Sequence, residues 1–249
     1  MNKRKKFLFF HVVFLLAIFN IANMLNFIVL KPVYANSDIN KKVVYLTFDD
    51  GPSNAITDKI LDILKENEVK ATFFLIGNQI DGLEQVVKRI NDEGHSIGLH
   101  TYTHKFKRIY ANQNAFIKEM LQSQEKIKST IGICPNIIRF PGGSKKHLTE
   151  AYLTKLHSYN FKVYDWNMET VDGIKPKTSP DRLYRQATEN SEELSNVLLL
   201  LHCDYMHKNT CKALPKIIKY YKDKGYEFKA IINDTPEFCF PIVGKHFPQ

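Results

Sequence analysis

Two adjacent carboxylates close the first apolar run that follows the N-terminal region. The run 43–48 leads directly into Asp49 and Asp50 within the sequence TFDDG. Successive side chains of a strand point to opposite faces, so both carboxylates can face one site only where the chain leaves a sheet. Carboxylates can transfer protons and bind metals. We therefore expect chemistry at the end of this predicted strand.

Two histidines lie four residues apart in the segment HTYTH, at His100 and His104. On one helical turn the two imidazoles would face the same way, with Cβ atoms roughly 5–6 Å apart. Two imidazoles and one carboxylate leave open positions on zinc, cobalt, iron or manganese, as a catalytic metal site requires. An HxxxH pair alone is weak evidence. It gains weight here because it follows a predicted strand in a chain that also has the carboxylate pair.

Short apolar runs alternate with amphipathic stretches beyond residue 42, which is typical of repeated β-α units. No Pro/Ser-rich linker or internal repeat interrupts them, so we predict one catalytic domain over residues 43–249. Its fold class is α/β, open or closed into a barrel, and we expect a distorted (β/α) barrel with about seven parallel strands. The predicted strands cover residues 43–50, 71–77, 96–100, 137–140, 162–166, 196–202 and 227–232. The predicted helices cover residues 56–67, 83–94, 114–131, 148–159, 181–194 and 212–224.

Polar residues end four of these strands, namely Asp49-Asp50, His100, Arg139 and His202. A fifth strand runs into Asp165. In such folds catalytic residues lie at the carboxyl ends of the strands. These side chains are therefore expected to share one site.

Five ordered motifs make residues 42–232 resemble the polysaccharide deacetylases of carbohydrate esterase family four, also called the NodB homology domain. The motifs are TFDDG at 47–51, HTYTH at 100–104, RFPGG at 139–143, ETVDG at 169–173 and LLLLHCD at 198–204. The resemblance implies a metal-dependent hydrolase that removes N-acetyl groups from a polysaccharide.

The first three motifs imply the metal site and the base. By the resemblance, Asp49 is the catalytic base, and Asp50, His100 and His104 are the ligands of a divalent metal. The arginine of the third motif, Arg139, orients Asp49. The resemblance implies zinc or cobalt; zinc is the expected metal and cobalt the alternative.

The remaining site residues follow from the later motifs and from glycine chemistry. By the resemblance, His202 is the general acid, Asp172 tunes it, and Leu200 shapes the acetyl pocket. A glycine lets the chain approach a substrate closely, so the backbone N–H of Gly142 is the expected donor to the oxyanion.

The fourth and fifth motifs depart from the family pattern. The family's fourth motif reads Asp-x-x-Asp-Trp, whereas Gly173 stands in the place of the tryptophan. The pair Asp165-Trp166 offers a competing register, with Asp165 as the partner of the acid histidine and Trp166 as the aromatic contact with substrate. We favour Asp172 and keep Asp165 as the alternative. In the fifth motif, Cys203 separates the histidine from the aspartate.

Residues 1–35 predict a signal peptide or a membrane anchor, followed by a short linker over residues 36–42. Four basic residues precede an apolar stretch that runs from residue 7 to residue 30. Polar side chains within that stretch favour cleavage over retention. In either case we expect export, and hence an extracellular or cell-envelope location, with membrane attachment if the segment is uncleaved.

The net charge of +9 is spread over several segments, and no nucleic-acid module signature occurs. The expected partner is an N-acetylated glycan of the cell envelope, not nucleic acid. Export permits oxidation of the four cysteines, for which three pairings exist, and free thiols remain the alternative. The histidines without a motif partner are expected in loops or at the surface; they are His95, His147, His157, His207 and His246.

The resemblance and the exported context favour N-acetylglucosamine of peptidoglycan as the substrate. The segment RFPGGS resembles the glucosamine-directed branch of the family more than the muramic-acid branch. Chitin oligosaccharides and acetyl-xylan are the alternative substrates. A catalytically weak glycan-binding relative is a further alternative, and a monomer is expected.

Overall fold

The computed structural model describes residues 41–242, in which eight parallel strands form one sheet with helices packed around it. The strands are β1 (Val43–Gly51), β2 (Thr72–Leu75), β3 (Ser96–Leu99), β4 (Ile137–Ile138), β5 (Lys162–Val163), β6 (Met168–Glu169), β7 (Asn196–His202) and β8 (Glu227–Phe228). The helices are α1 (Asn54–Glu66), α2 (Glu84–Asp92), α3 (Phe106–Ile109), α4 (Gln113–Ile131), α5 (Glu150–Ser158), α6 (Pro180–Thr188) and α7 (Lys208–Asp223). The predicted leader, residues 1–35, lies outside the described residues.

The strands follow the order β5-β4-β3-β2-β1-β7-β6, and β8 pairs with β1. Because the paired strands all run in the same direction, their carboxyl ends meet at one edge of the sheet. The predicted α/β fold with about seven parallel strands is confirmed. β6, which is only two residues long, was not predicted from the sequence.

β1 occupies the middle of the sheet and reads as a nearly continuous apolar run because both of its faces are buried. Val44, Leu46 and Phe48 are fully buried in the main core. The pairing register of β1 with β7 sets the Cα atoms of Asp49 and His202 opposite each other. Two motifs that are about 150 residues apart in the sequence are thereby brought to the same end of neighbouring strands.

Three of the seven helices named above begin at a side-chain cap. The carboxamide of Asn112 accepts a hydrogen bond from the N–H of Ala115 at the start of α4, and the helix ends at Gly132, which has φ +77°. The last helix was predicted to begin four residues too late. Helix α7 starts at Lys208, and Thr210 and Cys211 in its first turn already face the core. None of the helices in residues 41–242 combines the length and apolar character that crossing a bilayer requires.

Gly98 on β3 offers a test of how tightly the sheet packs beside the site. A Cβ atom at this position would lie 2.6 Å from Cε1 of Phe74 and 3.1 Å from Cγ1 of Ile137. We expect Gly98→Ala to lower the free energy of unfolding by roughly 1–3 kcal/mol, measured in urea by circular dichroism. Ser96→Ala on the same strand is the matched control and should change it by less than about 0.5 kcal/mol. Equal stabilities of the two variants would contradict this packing.

Candidate active site

A cavity of about 500 Å³ opens at the carboxyl edge of the sheet. It is lined by eight of the ten predicted site residues, which are Asp49, Asp50, His100, His104, Gly142, Trp166, Leu200 and His202. The other two, Arg139 and Asp172, are fully buried and hydrogen-bond to the lining residues. The structure therefore gathers the whole predicted set around one cavity.

Asp49 and Asp50 both face this cavity because the strand distorts between them and Gly51. The pairing of β1 with β2 is regular up to Asp49 and then shifts, and Asp50 has φ +67°. This left-handed conformation is costly for most residues, and aspartate is among those that tolerate it best. The end of the strand thus turns two successive carboxylates to the same side, as predicted from the sequence.

A buried guanidinium holds Asp49 in place. Arg139 Nη1 donates hydrogen bonds to Asp49 Oδ1 at 2.9 Å and to Thr47 Oγ1 at 2.7 Å. Its Nε and Nη2 donate to the carbonyl oxygens of Tyr164 and Asp165 at 2.7 and 3.0 Å. Burial raises the pKa of Asp49 above its ordinary value, although the charge of Arg139 opposes this effect. The carboxylate is therefore oriented at one oxygen and more basic than an exposed aspartate.

Asp50, His100 and His104 converge on one point of the cavity wall. Asp50 Oδ1 lies 3.5 Å from His100 Nε2 and 3.3 Å from His104 Nε2. Their ligand atoms all lie within 4.8 Å of one another. The segment HTYTH forms no helical turn, so that expectation is wrong. Instead, a loop follows β3 and brings the two imidazole centroids to 5.0 Å.

The protonation of this group suits a divalent cation. His100 Nδ1 lies 3.0 Å from the carbonyl oxygen of Arg139, which only a protonated nitrogen can satisfy, so Nε2 presents its lone pair to the cavity. Burial lowers the pKa of His100 to about 3, which keeps the ring neutral. Asp50 Oδ1 is buried and receives no hydrogen bond from the described residues. An oxygen and a nitrogen acceptor that meet with no proton between them fit a metal ion.

His202 and Asp172 form a second hydrogen-bonded pair at the cavity. His202 Nδ1 lies 2.8 Å from Asp172 Oδ1, and Thr210 Oγ1 and the N–H of His202 donate to Oδ2. Burial alone would lower the pKa of His202, but the hydrogen bond and charge of Asp172 outweigh it and raise that pKa to about 9. The imidazole therefore carries a proton at neutral pH.

Asp165, the alternative partner of the acid histidine, is placed elsewhere. Its Oδ1 accepts a hydrogen bond from the N–H of Ser144 at 3.0 Å, and its Oδ2 accepts from Ser144 Oγ and from the N–H of Phe240. Asp165 thus fixes the loop that follows Arg139. Of the two registers considered, the structure puts Asp172 beside His202.

Gly173 and Trp166 shape the wall near His202. A Cβ atom at Gly173 would lie 2.5 Å from Nε2 and 2.8 Å from Nδ1 of His202, so the ring occupies the space that a side chain would need. Trp166 lines the cavity, and its indole N–H donates to Glu169 Oε2 at 2.9 Å. The glycine that departs from the motif is therefore required for the observed position of His202.

Two residues that pack against predicted site residues were not predicted from the sequence to belong to the site. Phe106 lines the cavity with its ring 51% exposed and packs edge-on against His104. His207, expected in a loop or at the surface, is buried and stacks on His202, with its Nε2 3.3 Å from the carbonyl oxygen of Asp172. Neither belongs to a motif. The only sequence signal was their position shortly after a motif histidine.

His95, expected in a loop or at the surface, lies in the loop before β3 at the opposite end of the sheet and is buried. The cysteines Cys134, Cys203 and Cys211 form no disulfide.

Known proteins resemble this chain in sequence and in architecture. The family profile described as polysaccharide deacetylase matches residues 36–164. The chain is also 39% identical over 207 residues to a Bacillus cereus protein named peptidoglycan-N-acetylglucosamine deacetylase, which covers 81% of this chain and 72% of that protein. The chain belongs to the polysaccharide deacetylase family. The resemblance drawn from five motifs is confirmed. As a member of this family, the chain is an amide-hydrolysing enzyme.

Solved structures of polysaccharide deacetylases superpose on this chain. A polysaccharide deacetylase from Bacillus cereus superposes with a TM-score of 0.71 at 37% identity, over 81% of this deacetylase and 96% of that chain. The catalytic domain of a peptidoglycan N-acetylglucosamine deacetylase from Eubacterium rectale superposes with a TM-score of 0.74 at 26% identity, over 82% and 95%. The family is metal-dependent, and the group formed by Asp50, His100 and His104 is this deacetylase's candidate metal site.

Gly173 allows a direct test of the His202 environment. In Gly173→Ala, the new methyl group would push the imidazole away from Asp172. We therefore expect the pKa of His202 to fall from about 9 toward the ordinary value of about 6.5, measured by NMR titration. Ile174→Ala, at a neighbouring and exposed position, is the control and should leave that pKa unchanged. An unaltered pKa in Gly173→Ala would show that the backbone yields instead.

Proposed function

We propose that this chain removes the N-acetyl group from N-acetylglucosamine residues of peptidoglycan. One observation carries the proposal: an oriented carboxylate, a protonated histidine and a candidate metal triad line the same cavity. Hydrolysis of an acetamide needs a base for the water, an electrophile for the carbonyl and an acid for the leaving nitrogen. The cavity offers a group for each.

Asp50, His100 and His104 would hold the cation, and we propose zinc, with cobalt as the alternative. The donor set of one carboxylate and two imidazoles leaves coordination positions open for water and substrate. When bound, the cation supplies Lewis acidity toward the water and the acetamide carbonyl.

Asp49 is the proposed base, and its two oxygens have different tasks. Oδ1 is engaged by Arg139, whereas Oδ2 faces the metal-ligand side, 3.7 Å from His100 Nε2. Oδ2 is therefore the atom that accepts the proton of the attacking water. The fixed hydrogen bond at Oδ1 removes the need to reorient the carboxylate during the reaction.

His202 is the proposed acid, and Gly142 the proposed donor to the oxyanion. Because Nδ1 of His202 is engaged by Asp172, the proton that leaves is the one on Nε2. The water oxygen bonds to the carbonyl carbon, the C–N bond breaks, and the nitrogen takes up this proton, which yields acetate and a free amine. The N–H of Gly142 stabilises the oxygen of the tetrahedral intermediate. Leu200, at the cavity wall, bounds the acetyl pocket.

The choice of glycan rests on the relatives. The Bacillus cereus protein and the Eubacterium rectale domain are both named for peptidoglycan N-acetylglucosamine. Trp166 and Phe106 offer aromatic surface in the cavity, which suits a sugar ring but does not separate peptidoglycan from chitin oligosaccharides or acetyl-xylan. Those two glycans are the alternative substrates.

The place of action follows from the leader alone. We propose that residues 1–35 direct export and that the domain acts as a monomer in the cell envelope or outside the cell. If the leader is retained, it attaches the protein to the membrane.

Acetate release tests the proposed reaction. The full-length chain, loaded with zinc, is expected to release acetate from peptidoglycan faster than from chitin oligomers or acetyl-xylan. Asp49→Asn and His202→Ala should each lower the rate by about 10²–10⁴-fold, because each loses one proton-transfer step. Metal content, measured by atomic emission, should stay at the wild-type level in both. Glu125→Gln, an exposed position on α4, is the control that should keep the wild-type rate.

Chitin oligomers or acetyl-xylan as the better substrate would reassign the glycan. No release from any of the three despite bound metal would favour the glycan-binding alternative.

The pH profile tests the acid. Because the pKa of His202 is raised to about 9, the group stays protonated at neutral pH, and the rate should fall as pH rises through that value. Asp172→Asn removes the neighbouring negative charge, so the alkaline limb should move to lower pH by roughly 1–3 units. Asp165→Asn is the matched control, because the Asp165 side chain bonds to Ser144 and to the N–H of Phe240 and not to His202, so this variant should leave the limb in place. An alkaline limb that stays fixed in Asp172→Asn would remove His202 as its source.

A further inference from the structure

A buried carboxylate outside the catalytic set holds the loop that joins the two metal-ligand histidines. Glu119 lies on α4 and is 1% exposed. Its Oε2 accepts hydrogen bonds from the N–H of Tyr102 at 3.1 Å, the N–H of Thr103 at 2.7 Å and the hydroxyl of Thr103 at 3.0 Å. Its Oε1 lies 2.7 Å from Nε of Arg108. One carboxylate therefore contacts the chain on both sides of His104.

The loop needs such contacts because its backbone is strained at two positions. Thr101 has φ +68° and His104 has φ +53°, and both are residues with a Cβ atom in the left-handed region. Strained conformations of this kind persist only where surrounding contacts fix them. The carbonyl oxygens of Thr101 and Tyr102 accept from the N–H groups of Gly77 and Asn78. The N–H groups of Tyr102 and Thr103 donate to Glu119, so the carboxylate holds the opposite side of the loop.

Of the proposed ligands, His104 is the one whose position would change most if this loop relaxed. Its side chain is 27% exposed, whereas that of His100 is 3% exposed and is held by the carbonyl oxygen of Arg139. Beyond the loop, Phe106 packs on the ring of His104 from the same short helix that carries Arg108. The position of His104 Nε2 opposite Asp50 thus depends on the loop geometry on either side of it.

We propose that Glu119 is a positioning residue for the metal site, which fixes His104 as a ligand through the backbone of Tyr102 and Thr103. The inference rests on the proposed metal site but not on the identity of the glycan. A buried charge is costly unless its hydrogen bonds are made, and here they are made to the ligand loop. Partners of this kind outside the ligand set tune metal affinity.

The test compares metal binding of the full-length wild-type chain with that of Glu119→Gln. The amide keeps the size of the side chain but removes its charge and one acceptor. We expect zinc affinity, measured by chelator competition well below the unfolding temperature, to fall by about 10–100-fold. The visible absorption of the cobalt-loaded variant should shift toward that of cobalt-loaded His104→Ala. Glu125→Gln, on the same helix and exposed, is the control that should keep the wild-type affinity and spectrum.

A Glu119→Gln protein that is less stable but has wild-type affinity and cobalt spectrum would overturn the proposal, because Glu119 would then serve only the fold. If that variant does not fold, Arg108→Gln decides the question, since the Arg108 side chain is 55% exposed and its loss leaves the core intact. A weakened affinity in Arg108→Gln supports the proposal, and an unchanged affinity contradicts it. A wild-type chain that binds metal but deacetylates no glycan would defeat the proposed function alone. A wild-type chain that binds no metal would defeat this inference as well.

Discussion

The buried guanidinium of Arg139 fixes both sides of the reaction centre. A fully buried cation is tolerated only where its charge is paired and its donors are satisfied. Arg139 meets this demand through Asp49 and through the carbonyl oxygens of Tyr164 and Asp165. Its own carbonyl oxygen meets Nδ1 of His100. One residue thereby orients the proposed base and sets the tautomer of a proposed metal ligand, which couples the two halves of the chemistry.

Around this centre the backbone itself is arranged for function. Asp50, Thr101 and His104 all have positive φ, although none of them is glycine. Such conformations cost roughly 1–2 kcal/mol each in isolation. The cost is offset by the regular part of the sheet on one side and by the contacts of Glu119 on the other. The cavity is therefore preorganised, with the donor atoms of the candidate metal site converging on one another.

The parallel strands and most of the site could be predicted because both depend on short-range patterns. Apolar runs reported the buried strands, and residues at their carboxyl ends had to meet at one edge. The backbone conformation of HTYTH could not be predicted from the sequence, because its left-handed residues depend on contacts with a separate helix. His207 and Phe106 were missed for the same reason, since only tertiary packing places them beside His202 and His104. Gly173 departs from the family motif, yet its missing side chain leaves room for the ring of His202.

The last described segment of the chain contacts a residue of the cavity wall. Asp165 accepts a hydrogen bond from the N–H of Phe240, whose ring packs against Trp166, and a bridge joins Phe238 to Tyr164. Asp165, which accepts this hydrogen bond from Phe240, also fixes the loop that follows Arg139. An affinity tag or fusion partner joined directly after this segment would thus follow within a few residues of Phe240, which contacts both Asp165 and Trp166. The choice of where to attach such a tag is, for this protein, a choice about its active site.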